Sequence, residues 1–206
     1  LTQVDRWRAA APNLVDQCFE TDRVNSIWVA DITYVPTGEG WIYLAAVMDL
    51  CTRKVVGRLL KDSLATEITL EAFDRAVAVE DPAEDLIHHS DRGVQYSSLR
   101  YQQRLWSRGM MCSMSRKGNC YDNAVLESFS YTLKVERVNW KRYRTKQEAA
   151  ADLNWWIGVW YNQRRLHSSL GYKSPNEYGK EKNIAEDSVG ITRARSSQNL
   201  FSFPSH

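Results

Sequence analysis

The chain has 206 residues, enough for one domain with appendages, and at 43% hydrophobic it can bury a sizeable core. No apolar run approaches the ~20 residues that a helical membrane span needs. The net charge of +2 is small, but residues 1–90 carry 8 Lys/Arg against 15 Asp/Glu, and residues 91–206 carry 19 against 10. A basic second half suits a polyanionic partner.

The first residues, Leu1-Thr2-Gln3-Val4-Asp5-Arg6-Trp7-Arg8, include no Met and are not a secretion signal, so a fragment of a longer protein is expected. Cys18, Cys51, Cys112 and Cys120 show no CxxC spacing and no zinc-finger histidine partner. They read as reduced thiols, and a cytoplasmic location is expected.

In chain order, residues 1–25 lack a clear period and read as an N-terminal arm, with Asn13-Leu14-Val15 and Phe19 packing on the domain. Ile27 to Val35 is apolar and β-branched, ended by Pro36, with Gly38 and Gly40 in a turn. Trp41 to Asp49 and Arg53 to Leu60 complete an antiparallel three-strand meander. Ala65 to Val79 repeats Ile68, Ala72, Phe73, Ala76 and Val77 at helical spacing, with Ser63 or Thr66 as cap. Leu86-Ile87-His88-His89 is a short strand delivering Asp91 to its C-terminal end. Leu99 to Trp106 is a helix stopped by Gly109, and Met110 to Met114 is a fifth strand.

After a basic loop at Arg116-Lys117-Gly118-Asn119, Tyr121 to about Val138 reads as a helix with Asp122 or Asn123 near its start. Thr145 to about Arg165 reads as a longer one, opened by a Thr145/Glu148 capping box. Its many Trp and Tyr side chains point to burial against the sheet or a partner. From about Lys180 the composition turns polar, so residues 179–206 are expected to form a C-terminal tail, with residues 26–178 as the core. This β-β-β-α-β-α-β-α-α order predicts an α/β fold, a mixed five-stranded sheet flanked by helices.

Three carboxylates stand out. Asp31 lies mid-strand among Trp28, Val29, Ile32 and Tyr34, where Asp is disfavoured and an uncompensated charge is expensive. Asp91 ends a strand, and Glu127 lies on a following helix, with 35 residues between the two. Singly, each has a plain alternative: a turn, a salt bridge, an exposed helix position. Jointly they read as an all-oxygen site for Mg²⁺. Two such ions about 3.5–4 Å apart serve phosphoryl transfer.

The motifs Trp28-x-x-Asp31-Ile32-Thr33-Tyr34 and His89-Ser90-Asp91-Arg92-Gly93-x-Gln95-Tyr96 come first. Ser113 to Ala124 with Glu127-Ser128-Phe129, Leu133-Lys134-x-Glu136, and Tyr161-Asn162-x-x-Arg165-x-His167-x-x-Leu170-Gly171-Tyr172-x-Ser174-Pro175-x-x-Tyr178 follow. On these the chain resembles the catalytic core of bacterial insertion-sequence transposases of the DDE type, the IS three family, related to retroviral integrase. The resemblance covers about Asn13 to Tyr178 and includes the 35-residue spacing.

The resemblance implies a ribonuclease-H-like fold and two Mg²⁺ or Mn²⁺ ions during catalysis. It implies DNA strand cleavage and transfer at element ends by Asp31, Asp91 and Glu127. It further implies a homo-multimer on DNA, a preceding helix-turn-helix segment that reads the element end, and a bacterial, nucleoid-associated location. Lys134, seven residues after Glu127 and hence on the same helix face, is expected to contact DNA. Arg116 and Lys117 are expected to clamp a phosphate, and Arg164, Arg165 and His167 form a second basic group. His88 and His89 read as packing residues. A DNA-binding protein with a decayed site, and a structure-specific or RNA-cleaving nuclease on the same fold, remain as alternatives.

Overall fold

The computed structural model describes residues 11–185, with the side chains of Cys120 and Tyr121 left aside. The first ten residues of the expected arm and residues 186–206 of the expected tail lie outside the described residues.

The sheet has five strands: β1 (Ile27–Thr37), β2 (Gly40–Asp49), β3 (Val55–Lys61), β4 (Ile87–Ser90) and β5 (Met111–Met114). Their order is β3-β2-β1-β4-β5. The first three pair antiparallel, as a meander must, whereas β1–β4 and β4–β5 pair parallel. The parallel pairs are reached through crossover helices α1 (Thr66–Glu80) and α2 (Leu99–Trp106). Then come α3 (Ala124–Glu136), opened by a 3₁₀ turn at Cys120–Asn123, and α4 (Lys146–Trp155), which continues as a π-helical stretch, Trp156–Tyr161.

Strand alternation sends side chains to two cores. On one face Trp28, Ala30, Ala45 and Val47 meet Phe73, Ala76, Tyr101 and Leu105 of α1 and α2. On the other, Val29, Val35, Leu44 and Ala46 meet Leu126, Phe129 and Leu133 of α3 and Leu153, Trp156 and Ile157 beyond. Each fully buried Val, Leu, Ile or Phe side chain among these contributes roughly 1.5–3 kcal/mol of transfer free energy.

Four expectations need correction. Pro36 does not end β1; it pairs with Trp41 inside the hairpin. The pairing of β1 with β4 covers only Ile27 to Ala30, so at Pro36 the strand has a free edge that demands no amide donor. Helix α1 is capped by neither Ser63 nor Thr66: Ala65 is its N-cap, without a side-chain bond. Helix α3 begins at Ala124 rather than Tyr121, because the preceding residues form a 3₁₀ turn; Asn123 stands at its start as expected, as an N-cap without a side-chain bond.

The fourth concerns Lys180. Residues 175–185 are helical straight across it, and we label this helix α5. Ser174 and Glu177 form a reciprocal capping box: the Glu177 amide donates to Ser174 Oγ at 3.3 Å and the Ser174 amide to Glu177 Oε2 at 2.9 Å. Pro175 occupies the first helical position, where its missing N–H costs nothing.

The π-helical stretch has a packing reason. Trp156 and Tyr161 are five residues apart and both buried, with ring centroids 5.7 Å apart. An α-helix would turn them about 140° away from each other, whereas the wider π turn aligns them on one face.

Part of the arm packs as expected. The Leu14 amide donates to Ser113 Oγ at 2.9 Å, the Met114 amide to the Pro12 carbonyl at 3.2 Å, and Val15 is buried.

Candidate active site

The register of β1 and β4 pairs Ala30 with Ser90, the last residue of β4. Asp31 and Asp91 are therefore the next residues along two parallel neighbours, about 4.8 Å apart in strand spacing. Both follow the alternation of Val29 and His89 and face the α3 side of the sheet, where Val29 packs with Leu126. Glu127 stands in the first turn of α3, whose Leu126, Phe129 and Leu133 anchor the helix on the sheet. One cavity of about 380 Å³ is lined by Asp31, Asp91 and Glu127, together with Arg92, Ser115, Arg116, Lys117, Gly118, Asn119 and Asn123.

Local structure fixes each acid. The Ile32 amide donates to Asp31 Oδ1 at 2.8 Å, and the Gly93 amide to Asp91 Oδ1 at 2.9 Å. A side chain at position 93 would bring its Cβ within 2.9 Å of that same Oδ1, so it would displace the Asp91 carboxylate from this position. Burial, joined by the charges of Asp91 and Glu127, pushes the Asp31 carboxyl up to about 7 against the Ile32 hydrogen bond. Lys134 opposes that rise. Its ammonium lies 4.9 Å from the centre of the Tyr34 ring, which packs edge-on against Trp41.

Among the described residues no three Asp, Glu, His or Cys side chains converge tightly enough to hold a metal ion. The chemistry of the donor set nevertheless fits a hard cation: three carboxylates line one cavity, and burial with the charges of its acidic neighbours pushes one of them up to about 7.

The loop before α3 is held by Asp122, whose side chain is fully buried. It accepts from Arg116 Nη2 at 2.8 Å, the Arg116 amide at 2.7 Å, Asn119 Nδ2 at 3.1 Å and Gln17 Nε2 at 3.1 Å. The Arg116 hydrogen bonds hold its carboxyl well below the usual carboxylate range. Arg116 thus reaches the cavity with its guanidinium engaged by Asp122 and Asp16, whereas Lys117 is exposed at the rim.

His89 braces the same loop through Ser113 Oγ at 2.8 Å and the Asp122 carbonyl at 2.9 Å, and His88 bonds the Tyr101 hydroxyl at 3.0 Å. Both histidines are buried packing residues.

The second basic group lies elsewhere. Arg165 is paired with Glu136 at 2.7 Å, and with His167 it lines a separate groove beside α3; Arg164 is exposed. Arg92, Ser115 and Asn123, which are not among the expected site residues, also line the cavity. Asn123 is buried with its Oδ1 unpartnered, one helical turn before Glu127. That i, i+4 relation was the available signal.

The family model described as integrase core domain matches residues 21–120, and a second model of the same description matches residues 108–175. The chain is 43% identical over 169 residues to the transposase for insertion sequence element IS904 of Lactococcus lactis, covering 82% of this chain and 67% of that protein. It is 38% identical over 173 residues to transposase InsF for insertion sequence IS3A of Escherichia coli K12, covering 84% of this chain and 60% of that protein. The HTLV-2 integrase catalytic core domain, solved in complex with magnesium, shares the fold at a TM-score of 0.52 and 16% identity, over 75% of this chain and 95% of that one. The chain thus spans about three fifths to two thirds of the length of these two transposases.

Proposed function

This chain belongs to the integrase-core transposases of bacterial insertion sequences, and from that membership we propose that it is the catalytic domain that cuts and joins DNA at the ends of such an element. The observation that carries the reading is the shared cavity of Asp31, Asp91 and Glu127, with Asp31 pushed up to about 7 by burial and by its acidic neighbours. We assign Asp31, Asp91 and Glu127 as the residues that hold Mg²⁺ or Mn²⁺. When bound, two such ions supply activation of the attacking oxygen and stabilisation of the leaving one.

The reaction proposed is an in-line displacement at phosphorus, used twice. Water first replaces the 3′-oxygen of one phosphodiester, leaving a 3′-hydroxyl and a 5′-phosphate. That hydroxyl then replaces the 3′-oxygen of a second phosphodiester, forming one P–O bond and breaking one. Lys134, on the α3 face that carries Glu127, would hold a backbone phosphate near Asp31. Lys117 would do the same from the rim, while Arg116, Arg164 and Arg165 extend the basic surface and His167 adds a neutral hydrogen-bond donor beside them. Phosphate contacts position a duplex without reading it, so recognition of the element end is assigned to a helix-turn-helix in a preceding segment, and joining two ends to a homo-multimer. Among the described residues no helix is long and apolar enough to cross a membrane. We further propose residues 26–178 as the catalytic core, at work in the bacterial cytoplasm on the nucleoid.

The test is a cleavage and strand-transfer assay on labelled element-end DNA with Mg²⁺ or Mn²⁺, using a chain that includes the preceding segment. Asp31→Asn, Asp91→Asn and Glu127→Gln should each lose both steps while keeping the wild-type circular dichroism. Retention of either step by any of the three would remove that residue from the site.

A further inference from the structure

Beside α3, a groove of about 540 Å³ is lined by Arg53, Ser128, Thr132, Arg165, His167 and Ser169 among others. Two of these residues carry a buried nitrogen with no hydrogen-bond partner: Arg53 Nη1 and His167 Nε2. Buried polar groups are nearly always paired, so two orphans on one groove call for a common partner.

Both orphans are donors. The Arg53 guanidinium spends Nη2 on the Phe19 carbonyl at 3.2 Å. The carboxylate of Asp49 acts on it only from a distance, being bonded to Thr52 and the Asn25 amide. At His167, Nδ1 faces Arg165 Nη1 at 3.5 Å, so the proton of the neutral ring sits on Nε2. Burial, and then the charge of Arg165, hold this imidazole down to about 4, which keeps it neutral at pH 7. Tyr161 fixes the ring edge-on at 5.0 Å. Arg165 itself is committed to Glu136. The hydroxyls of Ser128, Thr132 and Ser169 add rotatable donors to the wall.

A pocket of donors without a free carboxylate suits an anion with several acceptor oxygens. Ser128 directly follows Glu127, so groove and acid cavity flank the first turns of one helix. A helix is about 10–12 Å across, roughly three base-pair rises of 3.4 Å. We propose that this groove binds a DNA backbone phosphodiester a few nucleotides from the one that reacts, held by Arg53 and His167 across α3 from the acids. The proposal rests on the DNA reading above and adds to it a second anchoring point.

The wild-type chain is first titrated with inorganic phosphate, against chloride at equal ionic strength, while the histidine ring nitrogens are followed by NMR. His167 should shift saturably with phosphate alone, and the buried His88 and His89 should not move. DNA is then titrated at several salt concentrations. Arg53→Gln should weaken binding and reduce the slope of log affinity against log salt by about one. His167→Gln should weaken binding severalfold at unchanged slope, because a neutral N–H displaces no counterion.

A His167 resonance unmoved by phosphate and by DNA would mean that the groove holds only water, and the proposal falls. A shift with inorganic phosphate but none with DNA would make it a site for free phosphate, which also overturns it. So would wild-type DNA binding by folded Arg53→Gln. These readouts need no cleavage: loss of activity in Glu127→Gln beside an unmoved His167 would leave the catalytic reading standing and remove this one alone.

Discussion

The Asp122 carboxylate, fully buried, is gripped by Arg116 through its backbone amide at 2.7 Å and its guanidinium at 2.8 Å. The same carboxylate accepts from Gln17, so one acid ties the arm and the loop before α3 together. A hydrogen bond to a charged group contributes about 1.5–3 kcal/mol, and Asp122→Asn should destabilise the fold by about that amount at pH 7. The Arg116 hydrogen bonds depress the folded carboxyl below its unfolded value of about 3.9. Its contribution is therefore fully present above pH ~4 and fades as pH falls toward the folded value. Urea titrations of wild type and variant should differ at pH 7 and converge in strong acid. Equal midpoints at pH 7 would contradict this role.

Asp31 has the opposite sign. Its folded carboxyl is raised to about 7 by burial and the neighbouring acids, so without divalent ions it penalises the fold increasingly as pH rises from ~4 to ~7. Asp31→Asn should leave stability unchanged below pH ~4 and raise it above pH 7 by at most about 4 kcal/mol. Thermal melts in EDTA across that range check this. A variant less stable than wild type at pH 8 would show that the carboxylate is compensated within the protein.

Divalent ions should narrow that gap. A ligand at a hundredfold excess over its Kd stabilises by about 2.7 kcal/mol. MgCl₂ or MnCl₂ should therefore raise the Tm of the wild type, EDTA should restore it, and Asp31→Asn should respond little. An equal rise in both proteins would place the ion elsewhere.

Lys134 lies 4.9 Å from the Tyr34 ring centre and lowers the Asp31 carboxyl. Lys134→Ala should weaken binding to all duplexes alike, with a salt slope smaller by about one. It should also raise the Asp31 carboxyl further, visible in its NMR titration. Loss confined to one DNA sequence would assign Lys134 to base reading.

Gly57 tests the packing of α1 on the sheet. A Cβ there would approach Ala76 Cβ to 2.7 Å and overlap the Ala72 carbonyl oxygen. Gly57→Ala should cost about 1–3 kcal/mol in urea unfolding, as overpacking does. Wild-type stability would mean that α1 yields readily.

Much of this was legible in the chain. The apolar, β-branched run of Ile27 to Val35 marks a strand, the period of 3.6 in Ile68, Ala72, Phe73 and Ala76 reports which side of a helix is apolar, and both elements appear there. Asp31 stood out because a charge in such a strand needs a partner. The Ser174/Glu177 box was equally readable, but polar composition obscured it.

What the sequence by itself determined was therefore local: the elements, the three acids and the 35-residue spacing between two of them. The tertiary structure alone decided the rest. Asp31 and Asp91 become neighbours only because β1 and β4 pair parallel with Ala30 opposite Ser90. Pro36 is tolerated only because β4 stops short of it, and Trp156 meets Tyr161 only through a π turn. Arg116 and Arg165 carry the same charge as Lys117, yet each is taken up by an acid that only folding brings near: Asp16, beside the local Asp122, for the first, and Glu136 for the second. The physical reason is range. Backbone geometry imposes its periods within a few residues, whereas partners separated by tens of residues are chosen by strand register and by the satisfaction of buried charge.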